Sequence, residues 1–210
     1  MNLYKTVTGE GYAEQIIEKS RFIAHVKPVS TREEGDAFVA EIKSRYKDAT
    51  HNVPAMVIGD KFQMQWASDD GEPQGTSGAP IVQMLVKEEL TNLVVVVTRY
   101  FGGVKLGTGG LVRAYTSSAK LGLQAAGICS VKEVWDLDML IDYSHLAKLQ
   151  NLESKDIDSG FAIVDTQYTD KVLLTVRTLT ENLDDVKQIF ANITGGTSVL
   201  KCSQQKKCSV

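Results

Sequence analysis

The sequence predicts an α+β protein built from two domains, and three observations support this fold class. Its 210 residues exceed one small domain, and 43% of them are hydrophobic, enough to fill two cores. About the last 75 residues follow the order strand, helix, strand, strand, helix, strand. The pattern changes after residues 129–134. We therefore predict domains at residues 1–130 and 136–210, joined by a short linker.

Two hairpins and a helix are predicted near the start of the first domain. The segments YAEQIIEKS and RFIAHVKPV have the composition of strands and flank the polar residues 19–20. VPAMVIG and KFQMQWAS flank Gly59 and Asp60 in the same way. Between the hairpins, Ser30 or Thr31 can cap a helix, with Glu33 or Glu34 completing a capping box. The buried face of that helix is predicted from helical spacing: Phe38, Val39, Ile42 and Tyr46.

The middle of the chain alternates loops with apolar segments. Residues 68–80, SDDGEPQGTSGAP, are rich in turn formers and predict a loop, at least in their first half. A short helix is predicted from Ile81 to about residues 87–89. Residues 93–97 are apolar on both faces, which is typical of a central strand covered on two sides. The glycine-rich turn FGGVKLGTGG then leads into a helix with one buried stripe: Leu111, Tyr115, Ala119, Leu123 and Ala126.

The second domain is predicted to be ferredoxin-like. WDLDMLI alternates with the period of a strand, and FAIVDTQY and KVLLTVRTL form a hairpin around residues 169–170. Leucines at 146, 149 and 152 predict one helix, and apolar residues between 183 and 193 predict another, which ends at residues 195–196. With TSVLKCS as the last strand, the order βαββαβ is the split-βαβ arrangement.

Composition excludes several classes of protein. A net charge of −3 argues against a chain that coats DNA with its whole surface, although a local basic patch is compatible with it. Cys129, Cys202 and Cys208 form no CxxC pair, and their odd number argues against a disulfide framework. No apolar run approaches the roughly 20 residues of a membrane helix, and the N-terminus does not resemble a signal peptide. We expect a cytoplasmic protein, and its oligomeric state is left open.

The strongest candidate site is the glycine-rich turn between the central strand and the following helix. Glycines allow close backbone approach, and a helix N-terminus carries partial positive charge, so this turn can cradle an anion. Arg99, Lys105 and Arg113 lie before, within and just after this turn. We expect these three cations to share one face with the backbone amides. The candidate anion- or nucleic-acid-binding residues are Arg99, Gly102, Gly103, Lys105, Gly107, Thr108, Gly109, Gly110 and Arg113.

A second interpretation of the same glycines stays open at this point. The turn lacks the Gly-Lys-Ser/Thr end of a Walker loop and the spacing of the G-x-G-x-x-G dinucleotide motif. The glycines could therefore serve only to pack the helix closely against the sheet.

An acidic cluster forms the second candidate site. Asp69, Asp70 and Glu72, with His51 elsewhere in the chain, could ligate a metal, but no metal-binding spacing accompanies them. Asp-Gly and Glu-Pro are also ordinary turn chemistry, so we expect these acids to fix the loop and predict no metal and no cofactor. His25 and His145 have no evident partner, and we expect both to be structural. No G-x-S-x-G elbow is present, and no catalytic residue is predicted.

Three segments resemble the signature of the IMPACT/YigZ family: ATHNV, SDDGEPQGTSGAPI and TNLVVVVTRYFGGVKLGTGGLVRAYTSSA. The resemblance spans roughly residues 19–126. It implies a first domain like domain two of the small-subunit ribosomal protein five, as in domain IV of elongation factor G. It also implies a second domain like domain V of that factor. Eukaryotic members of the family are linked to translational control through protein partners, and the bacterial branch has no established reaction.

Together these observations predict a non-enzymatic, translation-associated protein that contacts RNA or the ribosome through the glycine-rich turn. Translation factors or regulatory proteins are further possible partners. Two alternatives remain. The first is a kinase-like enzyme for a small molecule, which would use the turn for phosphates and Asp69 or Asp70 as its catalytic acid. The second is a protein-only adaptor, in which the basic residues form salt bridges.

Overall fold

The computed structural model describes residues 2–153, 157 and 160–209, which form two compact units of mixed α/β structure. One unit is Leu3–Ser130 and is called the N-terminal unit below. The other, the C-terminal unit, begins at Val131 and also takes in Asn2.

The N-terminal unit contains six strands and three helices among its described residues. They are β1 (Asn2–Val7), β2 (Gly11–Ile17), β3 (Ser20–Pro28), α1 (Arg32–Arg45), β4 (His51–Ile58), β5 (Met64–Ala67), α2 (Gly78–Lys87), β6 (Leu93–Tyr100) and α3 (Gly107–Ala126).

An antiparallel sheet in the order β2-β3-β6-β4-β5 forms the centre of this unit. The predicted central strand is confirmed, because β6 is the middle strand and every residue from Leu93 to Arg99 is buried. Both predicted hairpins are present. In the first, the φ angles of Glu18 and Lys19 are 44° and 65°. A two-residue type I′ turn requires such a positive φ at both of its central positions.

The two faces of β6 enter two separate cores. Val95 and Val97 pack on the side of α2 and α3, together with Leu111 and Tyr115. Val94 and Val96 pack on the side of α1, whose predicted buried residues, including Ile42, lie in the same cluster. The unit therefore has three layers, with one helix on one face of the sheet and two on the other. The N-cap of α1 is Thr31, whose side chain accepts from the backbone N–H of Glu34.

The C-terminal unit follows the predicted βαββαβ order. Its elements are β7 (Ile128–Ile141), α4 (Tyr143–Leu152), β8 (Phe161–Tyr168), β9 (Val172–Leu179), α5 (Leu183–Thr194) and β10 (Val199–Ser209), with a 3-10 turn at Thr180–Asn182. The antiparallel strand order β10-β7-β9-β8 is that of a split βαβ fold. Its core uses residues of this unit alone, among them Leu137, Leu174 and Phe190.

Two boundaries differ from the sequence prediction. The linker expected at residues 131–135 is part of β7, which runs without a break from Ile128 to Ile141. The helix expected from Leu111 begins at Gly107, because the first-turn amides need no partner inside the helix and burial of the stripe outweighs the low helix propensity of glycine. None of the described helices has the length and apolar character needed to span a membrane.

Candidate functional site

A buried ion pair lies at the end of the central strand. Nη1 of Arg99 donates to Oε1 of Glu72 over 2.7 Å, and only 5% and 4% of these side chains are exposed. Side chains alternate along a strand, so Arg99 lies on the same face as Val95 and Val97, which α2 and α3 cover. A guanidinium in that position needs a counter-charge inside the protein, and Glu72 supplies it.

Tyr115 is the second donor to Glu72. Its hydroxyl donates to the same Oε1 over 2.8 Å, and its ring is perpendicular to that of Phe22 with the centroids 5.3 Å apart. Burial raises the pKa of the Tyr115 phenol, and the charge of Glu72 raises that pKa further, so the hydroxyl stays protonated and remains a donor. Arg99 also donates through Nη2 to the Ser20 hydroxyl over 3.2 Å. The cluster therefore joins β3, β6, α3 and the acidic loop.

His51 stands on the other side of Glu72. Its Nδ1 lies 2.8 Å from the backbone oxygen of Asp70, and its Nε2 lies 3.7 Å from Oε1 of Glu72. A carbonyl oxygen can only accept, so Nδ1 carries the proton in this hydrogen bond. In the neutral ring Nε2 is then an acceptor.

The two aspartates fix the loop that carries Glu72. Oδ2 of Asp70 accepts from the backbone N–H of Asn52 over 2.6 Å, and Oδ1 accepts from Nζ of Lys43 over 2.6 Å. These contacts hold the loop against β4 and α1. Neither carboxylate oxygen of Asp70 is therefore without a donor.

Asp69 holds the start of α2. Its carboxylate accepts from the Ser77 hydroxyl over 2.7 Å and from the backbone N–H groups of Gly75, Ser77 and Gly78. Burial acts to raise the pKa of Asp69, but these four hydrogen bonds outweigh it and keep the pKa below the ordinary aspartate value. This is the arrangement of a helix cap, which fixes the geometry of the loop.

A cavity of about 420 Å³ opens beside the ion pair. The exposed ring of Phe101 forms part of its wall, with the guanidinium carbon of Arg99 5.4 Å from the ring centroid. Candidate residues from both sequence motifs line it together: His51, Glu72, Arg99, Lys105, Gly107 and Thr108.

The start of α3 borders this cavity. Leu106 is the N-cap, no side chain hydrogen bonds at the cap, and the first turn contains no acidic residue. A Cβ at Gly107 would meet no neighbouring atom within 4 Å, so the backbone there faces open space. The positive end of this helix is therefore accessible to an anion.

A second groove, of about 480 Å³, lies on the other side of Lys105. Arg113 and Gly110 line this groove, and so does the acidic residue Glu18. Both Lys105 and Arg113 are exposed, and neither forms a salt bridge within the described ranges.

Comparison with known proteins identifies the family. Residues 18–123 match the Impact N-terminal domain, and residues 140–197 match a domain of unknown function, DUF1949. The chain is 39% identical to "IMPACT family member YvyE" of Bacillus subtilis over 201 residues, which are 96% of this chain and 91% of that protein. The chain belongs to the IMPACT family. The resemblance inferred from the three sequence motifs is thus confirmed.

A further relative agrees with this membership of the IMPACT family, and a solved structure is similar over nearly the whole chain. "IMPACT family member YigZ" of Escherichia coli is 33% identical over 162 residues, 76% of this chain and 78% of that protein. A solved structure described as a hypothetical protein has a TM-score of 0.58 at 29% identity and covers 95% of this chain and 97% of its own.

The glycines of this IMPACT chain divide between the two roles that its sequence left open. Gly102 is a packing residue, since a Cβ there would lie 1.9 Å from the backbone oxygen of Lys19. Gly103 turns the chain with a φ of 86°. Gly107, Gly109 and Gly110 belong to α3 and not to the loop, and the first two have no close neighbour in the way of a ligand.

At Arg99 this IMPACT chain differs from the sequence prediction of one face with three free cations. The charge of Arg99 is neutralised by Glu72 and lies at the base of the cavity, whereas Lys105 and Arg113 share the neighbouring groove. The apolar run on both faces of β6 was the signal that could have shown it, because Arg99 continues a strand that is covered on two sides.

The acidic loop likewise has a different centre from the one expected. Asp69 and Asp70, the suggested catalytic acids, are occupied by hydrogen bonds, and Glu72 is the carboxylate that reaches the cavity. Within the described residues, no group of three or more His, Cys, Asp or Glu side chains is placed to hold a metal ion.

Proposed function

We propose that this protein is a non-enzymatic, translation-associated protein that contacts single-stranded RNA, free or in the ribosome, with the cavity at the start of α3. The observation that carries the proposal is that an uncapped helix N-terminus and the exposed Lys105 lie at the same cavity. The charges of Arg99 and Glu72, which line the bottom of this cavity, cancel each other. The net field at the cavity mouth is therefore set by Lys105 and the helix.

The electrostatics favour an anion at this position. A helix N-terminus carries roughly half a positive charge, and glycines in its first turn let a phosphate approach the backbone N–H groups. Lys105 adds a full charge there, and Arg113 adds another in the adjoining groove. Phe101, 46% exposed, supplies an aromatic face for a base. Phosphate contacts together with a stacking ring are the usual components of single-strand binding.

Family membership supports a role in translation. Eukaryotic members of the IMPACT family are linked to translational control through protein partners, and protein contacts are compatible with the same proposal. The likeness of the two units to domains IV and V of elongation factor G stays a prediction.

An enzyme that uses the same cavity is the second candidate. The observation in its favour is that Glu72 and His51 both line the cavity, where a carboxylate and an imidazole could move a proton of a bound small molecule. This candidate requires turnover of a phosphate-bearing compound, which RNA contact alone does not.

The test is anisotropy titration of a fluorescein-labelled oligouridine at several salt concentrations. We expect binding at low salt, weakened by Lys105→Ala and by Arg113→Ala. Each lost phosphate contact should flatten the log–log salt dependence by about 0.7. Lys61→Ala is the matched control, because this exposed lysine lies in the turn after β4, at the other end of that strand from His51.

Two outcomes would contradict the proposal. One is an absence of binding by the parent protein at low salt. The other is an equal loss of affinity in Lys61→Ala and Lys105→Ala, which would indicate attraction without a site. Chromatography of the oligonucleotide and of added nucleotides after incubation separates the enzyme candidate, since only an enzyme would convert them.

A further inference from the structure

We propose that His51 makes the cavity selective for RNA over DNA by accepting a hydrogen bond from a ribose 2′-hydroxyl. This inference rests on the proposed function, since it concerns the nucleotide held at the same site. It assigns a specificity-determining role to a residue that the sequence indicated only as a possible metal ligand in a family motif.

The orientation of the His51 ring is fixed from behind. Nδ1–H donates to the backbone oxygen of Asp70 over 2.8 Å, and the Asp70 carboxylate is itself held by Asn52 and Lys43. The ring cannot turn without breaking this contact, and the loop behind it is tied to both β4 and α1. A hydrogen bond of this kind at one ring nitrogen decides which function the other nitrogen has.

In the neutral ring the other nitrogen, Nε2, is an acceptor. Nε2 lies 3.7 Å from Oε1 of Glu72, which is also an acceptor and already accepts from Arg99 and Tyr115. No described residue donates a hydrogen bond to Nε2. His51 lines the cavity, so a hydroxyl donor of a bound molecule can supply what the protein does not.

The residues that line the cavity favour three chemical groups in one ligand. The start of α3 and Lys105 favour a phosphate, the ring of Phe101 favours a flat base, and Nε2 of His51 can accept a hydrogen bond from a hydroxyl. Phe101 is held in place, because its N–H donates to the Thr50 hydroxyl over 3.0 Å and its ring lies against Arg99. A volume of about 420 Å³ is within the range of small-molecule sites.

A ribonucleotide within a single strand carries all three groups, and a deoxyribonucleotide lacks the hydroxyl. The 2′-hydroxyl is the group by which proteins distinguish RNA from DNA at a given site. Oε1 of Glu72 already accepts from Arg99 and Tyr115, and a His51 variant tests whether Nε2 of His51 or Glu72 makes this distinction.

The experiment compares oligouridine with oligodeoxyuridine, which carry the same base and the same phosphates. One hydrogen bond should favour the RNA by roughly fivefold in Kd for the parent protein. His51→Phe keeps a ring but removes the acceptor, and should weaken RNA binding until the two Kd values are equal, with DNA binding unchanged. Lys105→Ala should weaken both oligonucleotides by the same factor.

A 2′-O-methyl oligouridine tests the same point without a mutation. It keeps the oxygen but cannot donate, so the parent protein should bind it no better than the DNA. Equal binding of RNA and DNA by the parent protein, or a preference that survives in His51→Phe, would overturn the inference and leave the anion site standing. If none of the oligonucleotides binds at low salt, the proposed function fails and this inference fails with it.

Discussion

Arg99 and Glu72 form an ion pair inside the N-terminal unit, with 2.7 Å between Nη1 and Oε1 and both side chains almost completely withdrawn from water. Burying two charges is costly, and the cost is offset here by the short contact and by the extra hydrogen bonds from Tyr115 and to Ser20. Because the pair is neutral as a whole, it shapes the base of the cavity without setting the sign of its field.

The first prediction concerns this pair. Glu72→Gln keeps the shape of the side chain but removes its charge, so Arg99 becomes an uncompensated buried cation. We expect the free energy of unfolding to fall by about 3 kcal/mol in urea titration. The matched control is Glu41→Gln, which breaks the exposed pair with Arg45 and should cost less than about 1 kcal/mol. Equal costs for the two variants would show that Glu72 is not needed as a counter-charge.

The ion pair also shows which parts of the fold the sequence could predict. Strand and helix periods depend on neighbouring residues, so the buried residues of β6 and the stripe of α3 were predictable. The partner of Arg99 is 27 positions earlier in the chain, and no local pattern links them. His51 and Glu72 come together for the same reason, since the contact depends on how the loop folds back over β4.

The start of α3 was missed for a different reason. Glycine costs a helix about 1 kcal/mol relative to alanine, so propensity alone would start the helix after residues 107–110. The amides of a first turn have no partner inside the helix in any case, and burial of Leu111 and Tyr115 stabilises the turn from the sheet side.

The second prediction concerns His25, which lies among aromatic rings in the N-terminal unit. Its ring centroid is 5.4 Å from that of Tyr12 and 4.9 Å from that of Tyr46, and its Nε2 is buried with no hydrogen-bond partner in the described residues. Burial lowers the pKa of His25 to about 4, with a smaller contribution from the charge of Arg45.

The unfolded chain therefore binds a proton at His25 near pH 6.5 that the folded protein does not bind until about pH 4. The stability from the neutral ring is complete above pH 6.5 and is lost as the pH falls towards 4. We expect His25→Phe to reduce the loss of unfolding free energy between pH 7 and 5 by roughly 1–2 kcal/mol, allowing for solvent screening. A profile that is the same in His25→Phe and the parent would contradict the prediction.

The third prediction is that the acidic loop binds no divalent metal tightly. Asp69 is occupied as the cap of α2, and Asp70 by Lys43 and Asn52, so a cation would have to displace existing donors. Calorimetry with Mg²⁺, Mn²⁺ and Zn²⁺ should show no stoichiometric site, and Asp69→Ala should instead lower stability by about 1–2 kcal/mol. Micromolar binding that Asp70→Ala abolishes would revive a metal-dependent enzyme.

The last prediction is that the two units fold independently. The large buried clusters do not mix them: two draw on residues 7–126 and the third on residues 137–190. The division at residues 130–131 falls inside β7, so a fragment must begin at Val131 to keep most of that strand.

A domain of about 80 residues buries a smaller share of its surface than a larger one, so we expect the fragment Val131–Val210 to be less stable than residues 1–130. Both should still melt cooperatively by circular dichroism, with near-ultraviolet signals that add up to those of the whole chain. A C-terminal fragment without a cooperative transition would show that it depends on the N-terminal unit, and the boundary would have to be abandoned.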